Sequence, residues 1–333
     1  MSTARVVAMR VVQLVVVLWI VVTFTFFLVR ILPGDPVDVI VPNQVGAQGR
    51  AAAQAVREHL GLDRPLYEQY FDYVGDVARG DLGRNYATNV AVTDTLKQAL
   101  PVSLQLMIYA QILALAFAIP LGVFSAYRAG SRADRAISTT SFALLALPNF
   151  VLALVLSYFV GVELEWLPTS GYAPGWLDPL FGRSGALDLG RHLEVMVLPA
   201  VSLAAGQIAI YMRLLRSDMI ATLQENFITM AKSKGLSNRR ILWRHALRPS
   251  SLTLLTVAGL NMGALIGGAV VVEVIYGMPG MGLKIFQALS ARQYVELQGF
   301  VLVIALLFVL INFLVDFLYA VLDPRIRRAR AAA

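Results

Sequence analysis

The stretch NFITMAKSKGLSNRRILWRHALRPS, residues 226–250, carries six lysine and arginine residues and lies between two long apolar segments. A single glycine, Gly235, interrupts the basic run near its middle. A loop that only held the chain on one side of a membrane would need the positive charge but not the glycine. The stretch therefore predicts a local structure with a role of its own.

The composition places most of the remaining chain in lipid. Of the 333 residues, 58% are hydrophobic and 15% are charged, more apolar surface than a soluble domain of this length can bury. The absence of cysteine excludes disulfides, thiolate metal sites and thiol nucleophiles. The uncharged segment Val11–Val29 is longer than the apolar region of a signal peptide and no small-residue cleavage site follows it, so it predicts a retained transmembrane helix.

Five further apolar segments follow, and each approaches or exceeds the ~20 residues that cross a bilayer. They are Val102–Tyr127, Ile137–Val162, Val195–Leu215, Ser251–Val274 and Gly299–Leu322. Pro120, Pro148 and Pro199 lie inside or near the starts of three of them, where membrane helices tolerate proline. The pattern predicts an all-α polytopic membrane protein with six transmembrane helices.

The distribution of lysine and arginine predicts the orientation of these helices. With the N-terminus inside, the inside segments hold 17 basic and 4 acidic residues, whereas the longer outside segments hold 10 basic and 15 acidic residues. Both termini are therefore expected inside. The net charge of +7 is then a topology signal, and a nucleic-acid partner is not expected.

The chain divides into four parts along this topology. An N-terminal tail and first helix cover residues 1–31, an extracytoplasmic region covers 32–101, a helical core covers 102–322, and a basic cytoplasmic tail covers 323–333. Within the extracytoplasmic region, Leu66, Tyr70, Tyr73 and Val77 have helical spacing, and Gly80 is placed to end the helix. This helix either rests on the membrane or the bundle, or offers a landing surface to an external partner.

The basic stretch itself predicts two short helices that meet at Gly235. Phe227, Ile228, Met230 and Ala231 form the apolar side of the first, and Lys232 and Lys234 fall in its last turn, where positive charge is favourable. Gly235 fits the left-handed residue that ends a helix, Ser237 can cap the second helix, and Pro249 is expected to limit it. Membrane helices tether both ends, which leaves no freedom to enter a DNA groove. Two short helices around a glycine instead form a compact shape suited to a cleft on a soluble partner.

This loop resembles the EAA loop of ATP-binding-cassette importer permeases, whose pattern is E-A-A, three residues, G, nine residues, then I-x-L-P. Anchored on Gly235, Thr229 takes the glutamate position, Met230 and Ala231 the alanine positions, and His245 the isoleucine position. Leu247 matches the leucine and Arg248 takes the proline position. Thr229, His245 and Arg248 depart from the general pattern and are similar to the variant of the dipeptide/oligopeptide/nickel permease family. The likeness continues through "VRILPGDPV", "HLGLDRPLYEQY", "LALPNFVLALVL", "VVVEVIYGMPGMG" and "DFLYAVLDPRIRR", in that order.

The resemblance implies a function and a set of partners. It implies a permease subunit in the bacterial cytoplasmic (inner) membrane that pairs with a second homologous permease, two ATPase subunits and an extracytoplasmic solute-binding protein. ATP and Mg²⁺ would be bound by the ATPase chains, with no cofactor in this chain. The coupling loop that would contact an ATPase comprises Thr229, Met230, Ala231, Lys234, Gly235, Leu236, Arg239, Arg240 and His245.

Two features of the last helices have both a structural and a functional interpretation. Gly259, Gly263 and Gly267 form a stripe of small residues that predicts either close helix packing or, as the resemblance also suggests, the permease–permease boundary, with Asn261 as a nearby polar group of the pathway. Asp316 is an ionisable group inside a predicted span, where it either pairs with an inner-leaflet arginine or acts in transport.

Short peptides are the expected substrate, with nickel chelate, glutathione or another small solute as alternatives within the family. The alternative of another class is a stand-alone secondary transporter, which should show internal repeats and several membrane-depth charges, whereas this sequence offers one such charge, Asp316, and no detectable repeat. A membrane enzyme would need clustered titratable residues, and His59, His192 and His245 have no metal-ligand spacing. The segment Gly277–Lys284 lacks the lysine and hydroxyl of a phosphate-binding loop and instead predicts a turn before a short outside helix over 283–291.

Overall fold

A computed structural model describes residues 3–31, 37, 40–41, 46–59, 61–183, 185 and 187–322. The regular elements of these residues are helices, with one isolated antiparallel bridge between Arg84 and Ala91. The helices are α1 (Thr3–Ile31), α2 (Gly46–His59), α3 (Leu66–Ala78), α4 (Val92–Tyr127), α5 (Arg132–Ala146), α6 (Asn149–Leu156), α7 (Leu189–Leu223), α8 (Asn226–Ser233), α9 (Asn238–Arg240), α10 (Leu247–Ile275), α11 (Met281–Ser290) and α12 (Tyr294–Leu322). The all-α prediction is confirmed for the described residues.

The bundle is organised around α4 and α7, which pack against each other more extensively than any other described pair. Gly122 of α4 permits the close approach, because a Cβ at this position would lie 3.1 Å from the carbonyl oxygen of Met212. Pro120 and Pro199 lie inside these continuous helices, as the sequence predicts for membrane helices. Both helices run from one end of the bundle to the other, and polar side chains lie at each end.

The segment Ile137–Val162, predicted as one span, is broken in the structure. Helix α5 ends at Ala146, α6 begins at Asn149, and a π-helical turn, Ser157–Glu163, continues it; the two arms are bent by 100°. Proline disfavours the helical conformation of the residue before it, and Leu147 before Pro148 is accordingly extended, with φ −89° and ψ 117°. The prediction that the membrane helix would tolerate Pro148 was therefore wrong.

Three described helices, α4, α7 and residues 294–314 of α12, are long and apolar enough to cross a membrane. The count rises to five when the bent pair around Pro148 and the bent helix α10 are each taken as one span. In α1, the apolar stretch with described side chains is Val12–Phe27. The chain is thus a polytopic membrane protein by length and composition.

Apolar side chains form two separate clusters. The core cluster joins α4, α7 and α10 through the length of the bundle. A smaller cluster, here called the end cluster, comprises Val92, Leu96, Ala99, Met281, Ala288, Tyr294, Leu297 and Phe300. The end of the bundle that contains it is called the Glu273 end, and the opposite end, where Tyr127 contacts the basic loop, is called the Gly235 end.

Helix α3 lies against α1 through aromatic side chains. The rings of Tyr70 and Tyr73 lie 5.3 Å and 5.7 Å from that of Phe26, and the Tyr70 hydroxyl is 2.8 Å from the Thr23 hydroxyl. The helix ends at Ala78, and Gly80 follows with φ +82°, as predicted. The aromatic face therefore rests on the bundle, and a landing surface on the exposed side stays a prediction.

Candidate functional site

The basic loop folds as two helices joined at Gly235, which confirms the sequence prediction. Gly235 has φ +74°, its N–H donates to the Lys232 carbonyl at 2.9 Å, and the Leu236 N–H donates to the Ala231 carbonyl at 3.3 Å. This pair of bonds is the Schellman arrangement, which requires a left-handed residue after the helix. A Cβ at Gly235 would meet nothing within 4 Å, so the requirement concerns backbone conformation and not space.

Only one side of the loop packs against the Gly235 end of the bundle. Ile228, Ala231 and Ile241 are buried in the core cluster, and the Asn238 amide donates to the Tyr127 hydroxyl at 3.1 Å. The side chains of Phe227 and Met230, which the sequence placed on the same apolar side, are exposed. That part of the prediction was wrong, because α8 presents one apolar pair inward and another outward.

The exposed side of the loop combines apolar and basic groups. Phe227, Met230 and Trp243 are 44%, 59% and 47% exposed, and no described element of the chain covers them. Exposed positions of the predicted coupling loop are Thr229, Met230, Lys234, Gly235, Arg239 and Arg240, whereas Leu236 and His245 are half-buried and Ala231 is buried. Exposed apolar groups flanked by charge are a common feature of protein interaction sites.

The second helix of the loop does not end at Pro249. Residues 238–240 continue through a wider π-helical turn, Ile241–Ala246, directly into α10. Pro249 lies three residues into α10, within this continuous helical path, so the proline does not end the helix. Ser237 occupies the N-cap position, as predicted, but its side chain makes no capping bond. The loop is therefore a direct extension of a membrane helix.

The glycine stripe on α10 has mixed surroundings. A Cβ at Gly263 would lie 2.3 Å from the Phe308 ring of α12, whereas a Cβ at Gly267 would meet nothing within 4 Å. Gly259 is buried and Gly267 is exposed. Gly263 therefore serves helix packing within the chain, and a permease boundary at Gly267 stays a prediction.

Neutral polar side chains connect α4, α7 and α10 between the two ends. The Asn261 amide donates to Gln207 at 3.1 Å, and the Tyr211 hydroxyl donates to Gln111 at 3.2 Å. The Gln111 amide in turn faces the Ala258 carbonyl at 3.4 Å. Asn261, the predicted pathway residue, thus belongs to an uncharged row, and sequence spacing did not reveal its partners. Asp316 lies on α12, and its side chain is outside the described residues.

A buried ion pair near the Gly235 end was missed by the sequence analysis. Arg216 of α7 donates through Nε and Nη2 to the two carboxylate oxygens of Asp134, both at 2.7 Å. The Ser125 hydroxyl and the Gly130 amide also donate to Asp134, which is 3% exposed. The pair joins α4, α5 and α7 beside the loop. Only Ser131, the N-cap residue of α5, could have indicated this site from the local sequence, because Arg216 is far away in sequence.

A second polar network holds the connection between α6 and α7 at the Glu273 end. Asp178 accepts from the Tyr172 hydroxyl at 2.5 Å, the Gly175 amide at 2.7 Å and Gln105 of α4 at 3.0 Å. Arg183 lies 2.9 Å away as an ion pair. Burial raises the pKa of the Asp178 carboxyl, but these donors outweigh it, so that its pKa lies below the ordinary value.

Glu273 is the third buried carboxylate among the described residues, and the sequence analysis overlooked it. It lies in the apolar run VVVEVI near the end of α10, where a single charge among branched residues was the available signal. Among the described residues, no group of three or more potential metal ligands is present. His192 instead places its Nδ1 2.7 Å from the Ala173 carbonyl.

Long apolar helices that carry an exposed basic loop indicate an integral membrane protein, and the comparisons with known proteins identify its class. The model of the family "binding-protein-dependent transport system inner membrane component" matches residues 118–328. The model of the N-terminal part of such membrane components matches residues 3–107. The chain belongs to this family of binding-protein-dependent transport components, which confirms the predicted resemblance.

Curated relatives match over almost the full length. The di/tripeptide transport system permease protein DppB of Pseudomonas aeruginosa (strain UCBPP-PA14) is 38% identical over 320 residues, 92% of this chain and 94% of its own. The dipeptide transport system permease protein DppB of Escherichia coli (strain K12) is 35% identical over 322 residues, 92% and 94% of the two chains. The probable peptide ABC transporter permease protein y4tP of Sinorhizobium fredii is 35% identical over 318 residues, 96% and 97%.

Proposed function

We propose that this chain forms part of the membrane pathway of an ATP-binding-cassette importer for short peptides. The observation that carries the proposal is the loop around Gly235, which exposes apolar and basic side chains while its other side is fixed in the core cluster. The names of the relatives, which refer to di- and tripeptides or dipeptides, support peptides as the substrate class.

The loop acts in this proposal as the contact with a separate ATPase subunit. Because α9 continues through the π-helical turn into α10, a displacement of the loop is transmitted to a membrane helix without an intervening flexible linker. The coupling residues are the nine predicted above, with Phe227 and Trp243 added because both are exposed beside them. ATP and Mg²⁺ are bound by the ATPase chains, and a solute-binding protein delivers the peptide on the other side.

The proposed topology has six spans with both termini in the cytoplasm of a bacterial cell and the chain in its inner membrane. Basic residues concentrate in the segments at the Gly235 end, which supports a cytoplasmic location for that end. The Glu273 end is then extracytoplasmic. A second homologous permease completes the pathway, and its boundary includes the exposed position Gly267 on α10.

The first test is affinity purification from native membranes in mild detergent, followed by mass spectrometry. We expect a second permease, ATPase subunits and a solute-binding protein to co-purify, and the ligand retained by the binding protein to be a peptide. A retained nickel chelate or glutathione would contradict peptide transport but not the class. Recovery of the chain alone, with solute movement in liposomes in the absence of ATP, would instead indicate a secondary transporter.

The coupling role is tested with Gly235→Glu and a matched control, Gly80→Glu. Both glycines follow a helix, are exposed, have φ near +80° and leave open space for a side chain, so that backbone strain is equal. We expect Gly235→Glu to insert and assemble but to uncouple ATP hydrolysis from uptake of a radiolabelled dipeptide, whereas Gly80→Glu transports normally. Normal coupling in Gly235→Glu would overturn the proposal.

A further inference from the structure

Glu273 is a buried carboxylate without a cation. Its side chain is fully buried near the end of α10, and within the described part of the chain it forms no ion pair. Its Oε1 accepts from the Ser103 hydroxyl of α4 at 2.5 Å, and its Oε2 accepts from the amides of Gly282 and Leu283 at 2.7 Å and 3.3 Å. The carboxylate therefore connects three helices.

Ser103 completes the arrangement from the other side. Its Oγ donates to Glu273 and accepts from the Met281 amide at 2.8 Å. The first amides of a helix lack intrahelical partners and carry partial positive charge, so a carboxylate is well suited to them. We call Ser103, Glu273 and the amides of Met281, Gly282 and Leu283 the α11 clasp. It holds the start of α11 to α4 and α10 at once.

Two glycines make the α11 clasp possible. A Cβ at Gly282 would lie 2.3 Å from the Val270 Cα of α10, a backbone atom that cannot move aside. A Cβ at Gly280 would lie 2.4 Å from the Glu273 carboxyl group. The start of α11 therefore lies directly on the backbone of α10. This closeness explains why the segment carries glycines at these two positions.

A static contact between these helices would not require a buried carboxylate. Burial of a carboxylate without a cation is costly, and a neutral or apolar pair would hold a static turn at lower cost. The remainder of α11 rests on the end cluster through Met281 and Ala288, separately from the core cluster. A small cavity also lies beside the carboxylate, lined by Leu104, Met107, Ile266, Met281 and Leu307. The clasp is therefore a polar contact that links α11 to both α4 and α10.

We propose that α11 is a lid at the Glu273 end of the pathway, and that the α11 clasp holds it closed in the resting transporter. Alternating access requires helices to separate at one end while they close at the other. The clasp includes groups of both α4 and α10, so their separation breaks it and frees α11. Ser103 and Glu273 are positioning residues for this step. The link to uptake rests on the proposed transport function.

The test uses the cysteine-free chain as a reporter of lid position. Ala288→Cys places a thiol at a buried position of α11, and Gln287→Cys places one at an exposed neighbouring position as the control. The whole transporter, with its ATPase and binding-protein subunits, is treated in nanodiscs with a maleimide polymer, and labelling is read as a mobility shift of this chain. We expect Ala288→Cys to react slowly at rest and faster when ATP and vanadate trap the other state, while Gln287→Cys reacts equally in both.

Breaking the clasp should open the lid at rest. In the Ala288→Cys background, Ser103→Ala and Glu273→Gln should each raise resting labelling by about tenfold, the change expected for loss of one hydrogen bond to a carboxylate. Glu194→Gln removes an exposed carboxylate that pairs with Arg191, and should leave the rate unchanged. A purely structural role predicts no dependence on ATP and vanadate.

Three outcomes distinguish the lid, the role of the clasp and the proposed function. Equal labelling of Ala288→Cys in both states, in a transporter that takes up a radiolabelled dipeptide, overturns the lid and leaves the function standing. Unchanged resting labelling in both clasp variants overturns the role of the clasp. State-dependent labelling without dipeptide uptake supports the lid and overturns the proposed substrate.

Discussion

At the residue scale, the three fully buried carboxylates of the described residues differ in their hydrogen-bond and ion-pair partners. Asp134 meets a bidentate arginine, Asp178 meets several neutral donors and one arginine, and Glu273 meets a hydroxyl and backbone amides. A carboxylate with a close cation resists removal of either partner, whereas one held by neutral donors can be released with less electrostatic cost. Their partners therefore indicate which contacts are permanent and which are suited to exchange.

Asp134→Asn should destabilise the chain because it leaves Arg216 without its partner in a mostly buried site. We expect a loss of about 3 kcal/mol in the free energy of unfolding, typical for removal of one member of a buried pair. Asp94→Asn is the control, since its ion pair with Lys97 is exposed and should contribute less than about 1 kcal/mol. Thermal unfolding of the purified chain in detergent measures both, and equal effects would contradict the prediction.

The hydrogen bonds and ion pair of Asp178 should make the connection between α6 and α7 sensitive to acid. Its pKa is lower in the folded chain than in an unfolded one, where it is about 3.9, so the stabilisation is complete above about pH 5 and is lost as pH falls through the folded value. We expect hydrogen exchange of residues 172–183, corrected for intrinsic rates, to accelerate below about pH 4. The Asp178→Asn variant should exchange faster at pH 7 and show no such transition; a transition of equal size in this variant would refute the assignment.

At the element scale, the sequence predicted what depends on local rules and missed what depends on distant partners. The turn at Gly235 follows from a glycine after a basic helical turn, and it is confirmed. The break at Leu147 was also accessible, because the restriction before Pro148 is local, but the apolar length of the segment was given more weight. The environment of Glu273 was not accessible, since Ser103 lies 170 residues away. Coupling-loop roles, by contrast, rest on resemblance and stay predictions.

The glycines of α10 offer a matched pair of substitutions. Gly263→Leu should force α10 away from Phe308 of α12 and lower the free energy of unfolding by about 1–3 kcal/mol, the usual cost of overpacking. Gly267→Leu has open space and should leave the stability of the isolated chain unchanged.

The same pair tests the predicted permease boundary. If Gly267 lies at that boundary, Gly267→Leu should reduce recovery of the second permease in mild-detergent purification, with the thermal unfolding of the single chain as control. Normal recovery of the partner from the Gly267→Leu variant would argue against this position as a boundary.

At the scale of the whole molecule, the buried polar groups of the described residues are concentrated at two ends, which a row of neutral side chains joins. The Gly235 end holds the basic loop and the Asp134–Arg216 pair, whereas the Glu273 end holds the Asp178 network and the α11 clasp. Between them, Asn261, Gln207 and Gln111 supply neutral hydrogen-bonding groups. In the proposed pathway, this row would offer hydrogen-bonding groups to polar solutes.

The proposed orientation predicts where introduced thiols react. In intact cells, a membrane-impermeant maleimide should label Gln287→Cys, at the Glu273 end, without permeabilisation. Ser233→Cys, in the exposed last turn of α8, should react only after the membrane is opened. The cysteine-free sequence makes both readouts specific for the chosen site. Reaction of Ser233→Cys in intact cells would contradict the proposed orientation.

The central pair α4 and α7, described above only as packing partners, also has a mechanical consequence. They contain 36 and 35 residues, so each is about 50 Å long, well beyond the ~30 Å of a bilayer core. A rod of this length that tilts by about 10° around one end moves its other end by about 9 Å. In the proposed function the pair would therefore work as a lever, in which a small rotation beside the basic loop becomes a displacement comparable to the width of an amino acid at the Glu273 end.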